Sequence, residues 1–195
     1  MSSDPVDTRT RILDATLDRL AEGGGAGVRM SDIAKAAGLS RQAVYLHFDS
    51  RAELLIEAAR RLDARLEVDA RLAPSRAAED GETRLRAFVV AWAGHLPGIA
   101  PVARALLALR ATDAEAARAW ADRMSALRDG CAAAVRALAA EDRLAPAWTE
   151  TTATDLLVTL LSVEGWLQLA EDCGWTPEAY AARMAEAAGG ALIRA

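Results

Sequence analysis

The segment 30–49 constrains the fold more than any other part of the chain. It predicts a short helix from Ser31 to about Ala37, a three-residue turn, and a second short helix from Arg41 to Phe48. Two helices that cross steeply need a small residue at their contact, a turn residue that tolerates positive φ, and an apolar residue facing the first helix. The residues at those positions are Ala34, Gly38 and Val44. This spacing predicts a helix-turn-helix.

The rest of the chain also predicts helices. Apolar residues recur at steps of three and four in each long segment, and no stretch alternates with a period of two. Alanine, which favours helices, accounts for 47 of the 195 residues. We therefore expect an all-α fold of about nine helices. A helix-turn-helix domain over residues 1–68 precedes a C-terminal helical domain over 69–195, with the boundary near 68–82.

Local signals mark where the predicted helices begin and end. Asp, Ser or Thr caps the first turn, whereas Gly and Pro interrupt a helix. The start signals are Asp4-Pro5, Ser50–Glu53 and Thr112–Glu115 as capping boxes, and Thr176-Pro177. The stop signals are Gly23–Gly27, Pro97-Gly98, Pro146 and Gly174. A short helix is expected over 101–109, after Pro97-Gly98, and a longer one through Leu156 and Leu167 ends at Gly174. The glycine run follows a helix and lacks Gly-Lys-Ser/Thr, which favours an ordinary loop over a phosphate-binding one.

Charge is distributed unevenly along an acidic chain. The net charge of −5 excludes a uniformly basic surface for nucleic acid. Residues 29–51 nevertheless carry four cations, Arg29, Lys35, Arg41 and Arg51, against Asp32 and Asp49. The flanking segments sum to −2 and −5, so the only basic excess lies on the predicted helix-turn-helix. Such a segment can contact a phosphate backbone.

The sequence contains little material for catalysis, metal binding or membrane insertion. The two histidines are His47 and His95, and the two cysteines, Cys131 and Cys173, cannot form a disulfide framework. No zinc-protease, nucleophile-elbow or phosphate-loop motif is present. We expect no catalytic residues, metal or cofactor. The N-terminal residues are polar, and prolines and charges interrupt the apolar stretch 88–109, so we expect a cytoplasmic protein.

The run from Val28 to Leu55, which contains Ile33, Ala34, Gly38, Val44 and the sequence Tyr45-Leu46-His47-Phe48, resembles the DNA-binding signature of the tetracycline-repressor (TetR/AcrR) family. The resemblance covers about the first 60 residues. The remainder is similar only in length and helical layout. The resemblance implies a homodimeric, ligand-responsive transcription factor, most often a repressor.

The resemblance also implies roles for individual residues. Ser40 caps the recognition helix and binds phosphate, and Arg41 and Gln42 contact base edges, where Arg prefers guanine and Gln adenine. Arg51 stands where the family usually has Lys, and Arg29 where it commonly has Thr, so that Ser31 takes over the hydroxyl's role. The expected DNA-binding residues are Arg29, Ser31, Lys35, Ser40, Arg41, Gln42, Tyr45, His47 and Arg51.

Plainer interpretations stay open for several of these residues. Tyr45 could be half-buried packing, and His47 a surface histidine with no partner. Arg41 and Gln42 could be solvated residues at a helix start. Ala34, Gly38 and Val44 are structural in either case and touch nothing outside the motif.

The C-terminal part offers aromatic residues for a ligand cavity. Tryptophans at helical spacing are usually core, but an effector pocket is mostly apolar with a few polar groups. The candidate walls are Trp92, His95, Trp120, Met124 and Trp166. Arg104 and Arg123 could meet an anionic ligand, although exposed helical arginines are more common.

The last two predicted helices are rich in leucine and small residues, as in Leu156, Leu160, Ala181 and Ala188. In the family this pair forms a four-helix dimer interface, whereas the alternative is an intrachain core. The favoured function is a homodimeric repressor that a small, largely apolar molecule releases from double-stranded DNA. The alternatives are a ligand-independent regulator or protein-interaction module with the same fold, and an α-helical enzyme.

Overall fold

The computed structural model describes the backbone of residues 5–22 and 28–194, and side chains from residue 8 onward within those ranges. Those residues form ten α-helices and no β-strand, which confirms the predicted all-α fold. A π-helical turn, Gln168–Asp172, directly follows α9. The helices are α1 Pro5–Glu22, α2 Met30–Ala36, α3 Arg41–Tyr45, α4 Arg51–Arg65, α5 Val68–Arg76, α6 Gly81–Leu109, α7 Ala114–Ala140, α8 Glu150–Leu160, α9 Val163–Leu167 and α10 Pro177–Leu192.

The chain divides into two compact units. The N-terminal unit consists of Met1–Arg65 and Pro101–Arg123, and the C-terminal unit consists of Leu66–Ala100 and Met124–Ala195. The end of α6 and the first turns of α7 therefore belong to the N-terminal unit. The division into a domain over 1–68 and a domain over 69–195 stays a prediction.

The N-terminal unit has its core where α1 packs on α4 and α2. Ile12, Leu20, Ile33, Leu54 and Leu55 are fully buried there. Burial of each such side chain contributes roughly 1.5–3 kcal/mol. At the edge of this core, Arg9 pairs with Glu57 at 2.5 Å and Arg61 pairs with Asp14, and both pairs join α1 to α4.

The C-terminal unit is held together by apolar side chains with a few satisfied polar groups. Tyr180 is fully buried in α10, and its hydroxyl donates to the carbonyl of Leu160 at 2.8 Å. The ring of Trp166 lies edge-on to that of Tyr180, with centroids 5.0 Å apart. The indole of Trp148 donates to the carbonyl of Ala191 at 2.8 Å. These contacts fix α10 against its neighbours.

Two predicted interruptions are helical. α5 occupies most of the expected linker near 68–82, and its Ser75 is buried and donates to the carbonyl of Arg84 at 2.9 Å. α6 runs unbroken through Pro97 and Pro101, so the predicted stop at Pro97-Gly98 is wrong. Each proline removes one helical hydrogen bond. Burial of one face of α6 outweighs that cost, since tertiary packing overrides local propensity.

Capping differs from the prediction in detail. Thr112 does not cap α7; instead the carboxylate of Asp113 accepts from the N–H groups of Glu115 and Ala116 at 3.0 and 3.1 Å. Ser50 accepts from the N–H of Glu53, as expected, but the Glu53 carboxylate accepts from Asp49. Thr176 caps α10 as predicted. Asp4 and the glycines at 23–25 and 27 lie outside the described residues.

The predicted helix through Leu156 and Leu167 is interrupted. α8 ends at Leu160, and the Ser162 hydroxyl accepts from the N–H of Gly165 at 3.1 Å to start α9. The π-helical turn then ends before Gly174, whose φ is +71°. This break and α5 add two helices to the predicted nine, and the continuity of α6 removes one.

By length and composition α6 is apolar enough to cross a membrane, with a mean hydropathy of 1.2 over its most apolar stretch. Of that stretch, 44% is buried within the protein. The core helix of a soluble protein has the same properties, so this is weak evidence for a membrane span.

Candidate nucleic-acid interface

α2 and α3 meet at a tight turn that the sequence pattern dictates. Gly38 has a φ of +68°, which disfavours residues with a Cβ. The N–H of Leu39 donates to the carbonyl of Ala34 at 2.9 Å and closes the turn. Ala34 and Val44 are buried between the helices. The turn therefore sets the direction in which α3 leaves α2.

α3 has one buried face and one exposed face. Val44 is fully buried, whereas Arg41 and Gln42 in the first turn are exposed. Ser40 accepts a hydrogen bond from the N–H of Ala43 at 3.1 Å, so its hydroxyl caps the helix. The remaining N–H groups of the first turn are open to an anion. This face has the hydrogen-bonding groups needed to contact base edges and phosphates.

Tyr45 lies one turn after Arg41 and is 40% exposed. The guanidinium of Arg41 lies 5.6 Å from the centre of the Tyr45 ring, and its Nη2 is 3.5 Å from the hydroxyl. This contact is loose, and both side chains remain exposed. Arginine over an aromatic face contributes about 0.5–1 kcal/mol at exposed sites, so it orients Arg41 weakly.

Three further predicted residues lie on α2 or beside it. Arg29, Ser31 and Lys35 are all exposed. Arg29 occupies the N-cap position of α2 and forms no capping bond. Ser31 forms no side-chain hydrogen bond with the described residues and does not replace that cap. None of the three side chains forms an ion pair in the described part of the chain, so each is open to solvent.

His47 is half-buried at the end of the motif. Its carbonyl accepts a hydrogen bond from Arg9 of α1, and the same guanidinium lies 4.3 Å from the centre of the Phe48 ring. Arg9 therefore anchors the end of the helix-turn-helix to α1. The sequence did not single out Arg9, because its partners lie 38 and 39 residues away.

The structure does not support the DNA contact expected of Arg51. Its side chain is only 11% exposed. The guanidinium forms an ion pair with Asp113, and its Nε donates to the carbonyl of Val28 at 2.6 Å. Glu115 lies 3.9 Å away. Arg51 therefore fastens α4 to the start of α7, and the basic excess available at the surface is smaller than the sequence suggests.

The expected ligand residues do not converge on one cavity. Trp92 lines a cavity of about 210 Å³ in the C-terminal unit, with Phe88 and Arg84. His95 and Trp166 are buried in the core of that unit and do not line this cavity.

Two more of the predicted positions are placed elsewhere. Trp120 belongs to the N-terminal unit, where the guanidinium of Arg110 lies 5.1 Å from the centre of its ring. Met124 is half-buried and does not line the 210 Å³ cavity. Arg123 pairs with Asp63 at 2.8 Å and with Asp122, rather than facing a ligand. Phe88 was not predicted from the sequence as a cavity residue. Its spacing of four from Trp92, which puts both on one face of a helix, could have identified it.

No group of three or more His, Cys, Asp or Glu side chains that could hold a metal lies within the described part of the chain. Cys131 is buried, and burial raises the pKa of its thiol to about 12, so that it stays neutral at physiological pH. Cys173 is exposed.

Comparison with known proteins supports the helix-turn-helix interpretation. The model for bacterial regulatory proteins of the tetR family matches residues 12–58. The HTH-type transcriptional regulator AcrR of Shigella flexneri is 39% identical over 51 residues, which are 26% of this chain and 24% of that protein. The match therefore spans about a quarter of the length of this curated relative.

Solved structures resemble the fold over nearly the whole chain. A candidate TetR-family regulator from Rhodococcus sp. is 20% identical with a TM-score of 0.74, covering 96% of this chain and 99% of that one. A candidate regulator from Saccharomonospora viridis in complex with choline is also 20% identical with a TM-score of 0.74, and the coverage is 97% and 100%. NalD, the secondary repressor of the MexAB-OprM multidrug efflux pump in Pseudomonas aeruginosa, is 25% identical with a TM-score of 0.69 and 98% coverage of both chains. Residues 12–58 therefore match the model for bacterial regulatory proteins of the tetR family, and the fold of the whole chain is similar to that of these solved regulators.

Proposed function

We propose that the chain is a homodimeric, cytoplasmic transcriptional repressor that binds an operator through α3 and is released by a small molecule in its C-terminal part. The observation that carries the proposal is the exposure of Arg41 and Gln42 on the first turn of a helix whose opposite face is buried. Ser40 and Tyr45 on either side of that turn, and Lys35 on α2, are exposed as well. The proposal assigns no catalytic activity.

A single α3 is five residues long and can contact only a few base pairs. Useful specificity requires more contacts than that, and a two-fold dimer doubles them. Two copies of α3 would enter successive major grooves about 34 Å apart. The operator should therefore be an inverted repeat with half-sites one helical turn apart.

The surface of α10 supports dimerisation. Ala179, Ala182, Ala187 and Gly190 are exposed on this helix, and such small residues allow close helix approach. An open groove of about 760 Å³ lies between α6 and α10, and Val90 at its wall is 49% exposed. A second copy would cover this apolar surface. We expect Ala187→Arg to convert a dimer into monomers in sedimentation velocity. Ala121→Arg, at an exposed position of α7 in the N-terminal unit, should leave the dimer intact.

Ligand response is supported by the relatives and by the 210 Å³ cavity. One structural neighbour is described as a repressor of an efflux pump and another as a complex with choline. An effector shifts the equilibrium only if it binds the DNA-competent and released conformations unequally. If a broad ligand library leaves DNA affinity unchanged, the ligand-independent regulator becomes the better description.

The direct test is selection of bound sequences from random duplexes with the full chain, followed by footprinting. An inverted repeat, protected on two successive major grooves, is the expected result. Recovery of no preferred sequence at about 0.1 M salt would contradict the proposal, because non-specific binding is then all that remains.

A further inference from the structure

The 210 Å³ cavity lies among α5, α6 and α7, entirely within the C-terminal unit. Pockets for drug-sized ligands usually measure about 300–1,000 Å³. The smaller volume fits a molecule of about one aromatic ring or a short acyl chain. The lining residues that determine its chemistry are Ser75, Arg76, Arg84, Phe88, Trp92 and Gly130.

One wall of the cavity is aromatic and held in place. Phe88 and Trp92 are one turn apart on α6, and their rings are nearly parallel at 16° with centroids 6.5 Å apart. The indole Nε1 of Trp92 donates to the carbonyl of Leu161 at 3.2 Å, which fixes the ring. A Cβ at Gly130 would lie 2.8 Å from Cε2 of Phe88, so the glycine makes room for the phenyl ring. These flat, fixed surfaces suit an apolar planar group.

The charged lining residues are cationic. Arg76 and Arg84 line the cavity, and no carboxylate does. Arg76 is already compensated, because its Nη2 lies 2.8 Å from the carboxylate of Asp69. The half-buried Arg84 forms no ion pair or side-chain hydrogen bond with the described residues. One uncompensated positive charge therefore borders an aromatic wall.

We propose that this cavity binds a small monoanion that joins a carboxylate to a compact apolar body, with Arg84 as the anion partner. The inference rests on the proposed function, since it names the effector class of the C-terminal part. A guanidinium binds a carboxylate through two parallel hydrogen bonds. A dianion would leave one charge unmatched at a partly buried site, because Asp69 already compensates Arg76.

The same charges argue against a cation in this cavity. A quaternary ammonium ion would meet Arg84 as a like charge with no acidic lining residue to offset it. The effector class thus differs from choline, which one structural neighbour of this chain contains.

The test is calorimetric titration of the full chain with three probes: benzoate, its neutral analogue benzamide, and choline. We expect benzoate to bind at least about tenfold more tightly than benzamide, and choline not to bind up to about 10 mM. Equal affinities for benzoate and benzamide, binding of choline in their place, or no benzoate binding up to that concentration would overturn the inference.

Substitutions of cavity residues test whether the preference for benzoate over benzamide arises in the cavity. Arg84→Gln should remove the preference for benzoate over benzamide, and Arg84→Lys should retain part of it. Ala133→Leu keeps the charge but fills the cavity, and should abolish binding of both probes. The control Arg183→Gln removes an exposed arginine from α10 and should change neither affinity. A preference that survives Arg84→Gln in a chain with native circular dichroism would overturn the assignment.

Operator binding by the same preparations separates the two proposals. If operator binding is intact and benzoate does not bind, the effector class is wrong and the DNA-binding function stands. If benzoate binds through Arg84 but no operator is selected, the cavity assignment stands and the regulatory function is wrong.

Discussion

Arg51 of α4 donates a hydrogen bond to Asp113, which also caps the first turn of α7. Burial alone would raise the pKa of Asp113, but the N–H of Ala116 and the guanidinium of Arg51 together lower it below its usual value. Arg51 follows the helix-turn-helix directly in sequence, whereas Asp113 lies 62 residues later. The pair therefore joins the base of the DNA-binding motif to the part of α7 that belongs to the same unit.

We expect Arg51→Ala to lower the free energy of unfolding by about 1–3 kcal/mol, because it removes two hydrogen bonds and leaves Asp113 partly buried without its cation. Arg60 is a matched control on the same helix: it pairs with Asp122 at 2.8 Å but its side chain is 59% exposed. Arg60→Ala should cost less than about 1 kcal/mol. Urea unfolding of both variants measures the difference, and equal effects would show that the Arg51 pair is an ordinary surface contact.

The salt dependence of operator binding distinguishes Arg51 from a true phosphate contact. Each phosphate contact adds about 0.9 to the slope of log affinity against log salt concentration. Lys35→Gln should reduce the magnitude of that slope by about one contact, whereas Arg51→Gln should leave it unchanged. A smaller slope for Arg51→Gln would restore the DNA-binding role that the family resemblance implies.

Substitution of Gly38, in the turn between α2 and α3, and of Gly94, inside α6, should change the stability of the protein in opposite directions. A Cβ meets nothing within 4 Å at either Gly38 or Gly94, but only Gly38 has positive φ. Gly38→Ala should destabilise the protein by about 1–2 kcal/mol through backbone strain alone. Gly94→Ala, inside α6, should stabilise it by roughly 0.5–1 kcal/mol. Thermal unfolding measures both, and the same sign for both variants would contradict the assigned turn conformation.

Acid should weaken the contact between α1 and α4. The hydrogen bond from Arg61 is the largest cause that lowers the pKa of Asp14. A lowered folded-state pKa means that the stabilisation is complete above the unfolded value of about 3.9 and is lost as pH falls toward the folded value. Asp14→Asn should cost about 0.5–1 kcal/mol at neutral pH and progressively less below about pH 4.

The control for this pH dependence is Asp18→Asn, at an exposed position one turn further along α1. Asp18 forms no ion pair with the described side chains. Its substitution should leave the pH dependence of the unfolding free energy as in the unmodified chain. A constant cost of Asp14→Asn from pH 7 to pH 3 would show that the pair contributes through packing rather than charge.

The helix-turn-helix could be predicted from sequence because its determinants are local. Ala34, Gly38 and Val44 lie within eleven residues, and each acts through sterics that a sequence pattern expresses. The cap at Ser40 is equally local, since its partner is three residues away.

Other features depend on partners that are distant in sequence. Pro97 and Pro101 predict a break, but burial of α6 among other helices overrides them. From the sequence Arg51 is an expected DNA-binding residue, but Asp113, 62 residues later, binds its guanidinium in the fold. Arg84, Phe88 and Trp92 follow one another at steps of four along α6, so their shared face could be predicted from spacing. The cavity itself could not, because α5 and α7 supply the rest of its lining.

Operator recognition in the proposed function depends on contact between exposed Arg41 and a base edge. The measurement is the affinity of Arg41→Ala for the selected operator and for every single base-pair variant of it. We predict a loss of about 1–3 kcal/mol, with discrimination relaxed at one position of each half-site and retained elsewhere. Full affinity with unchanged base preference at every position would contradict the claim.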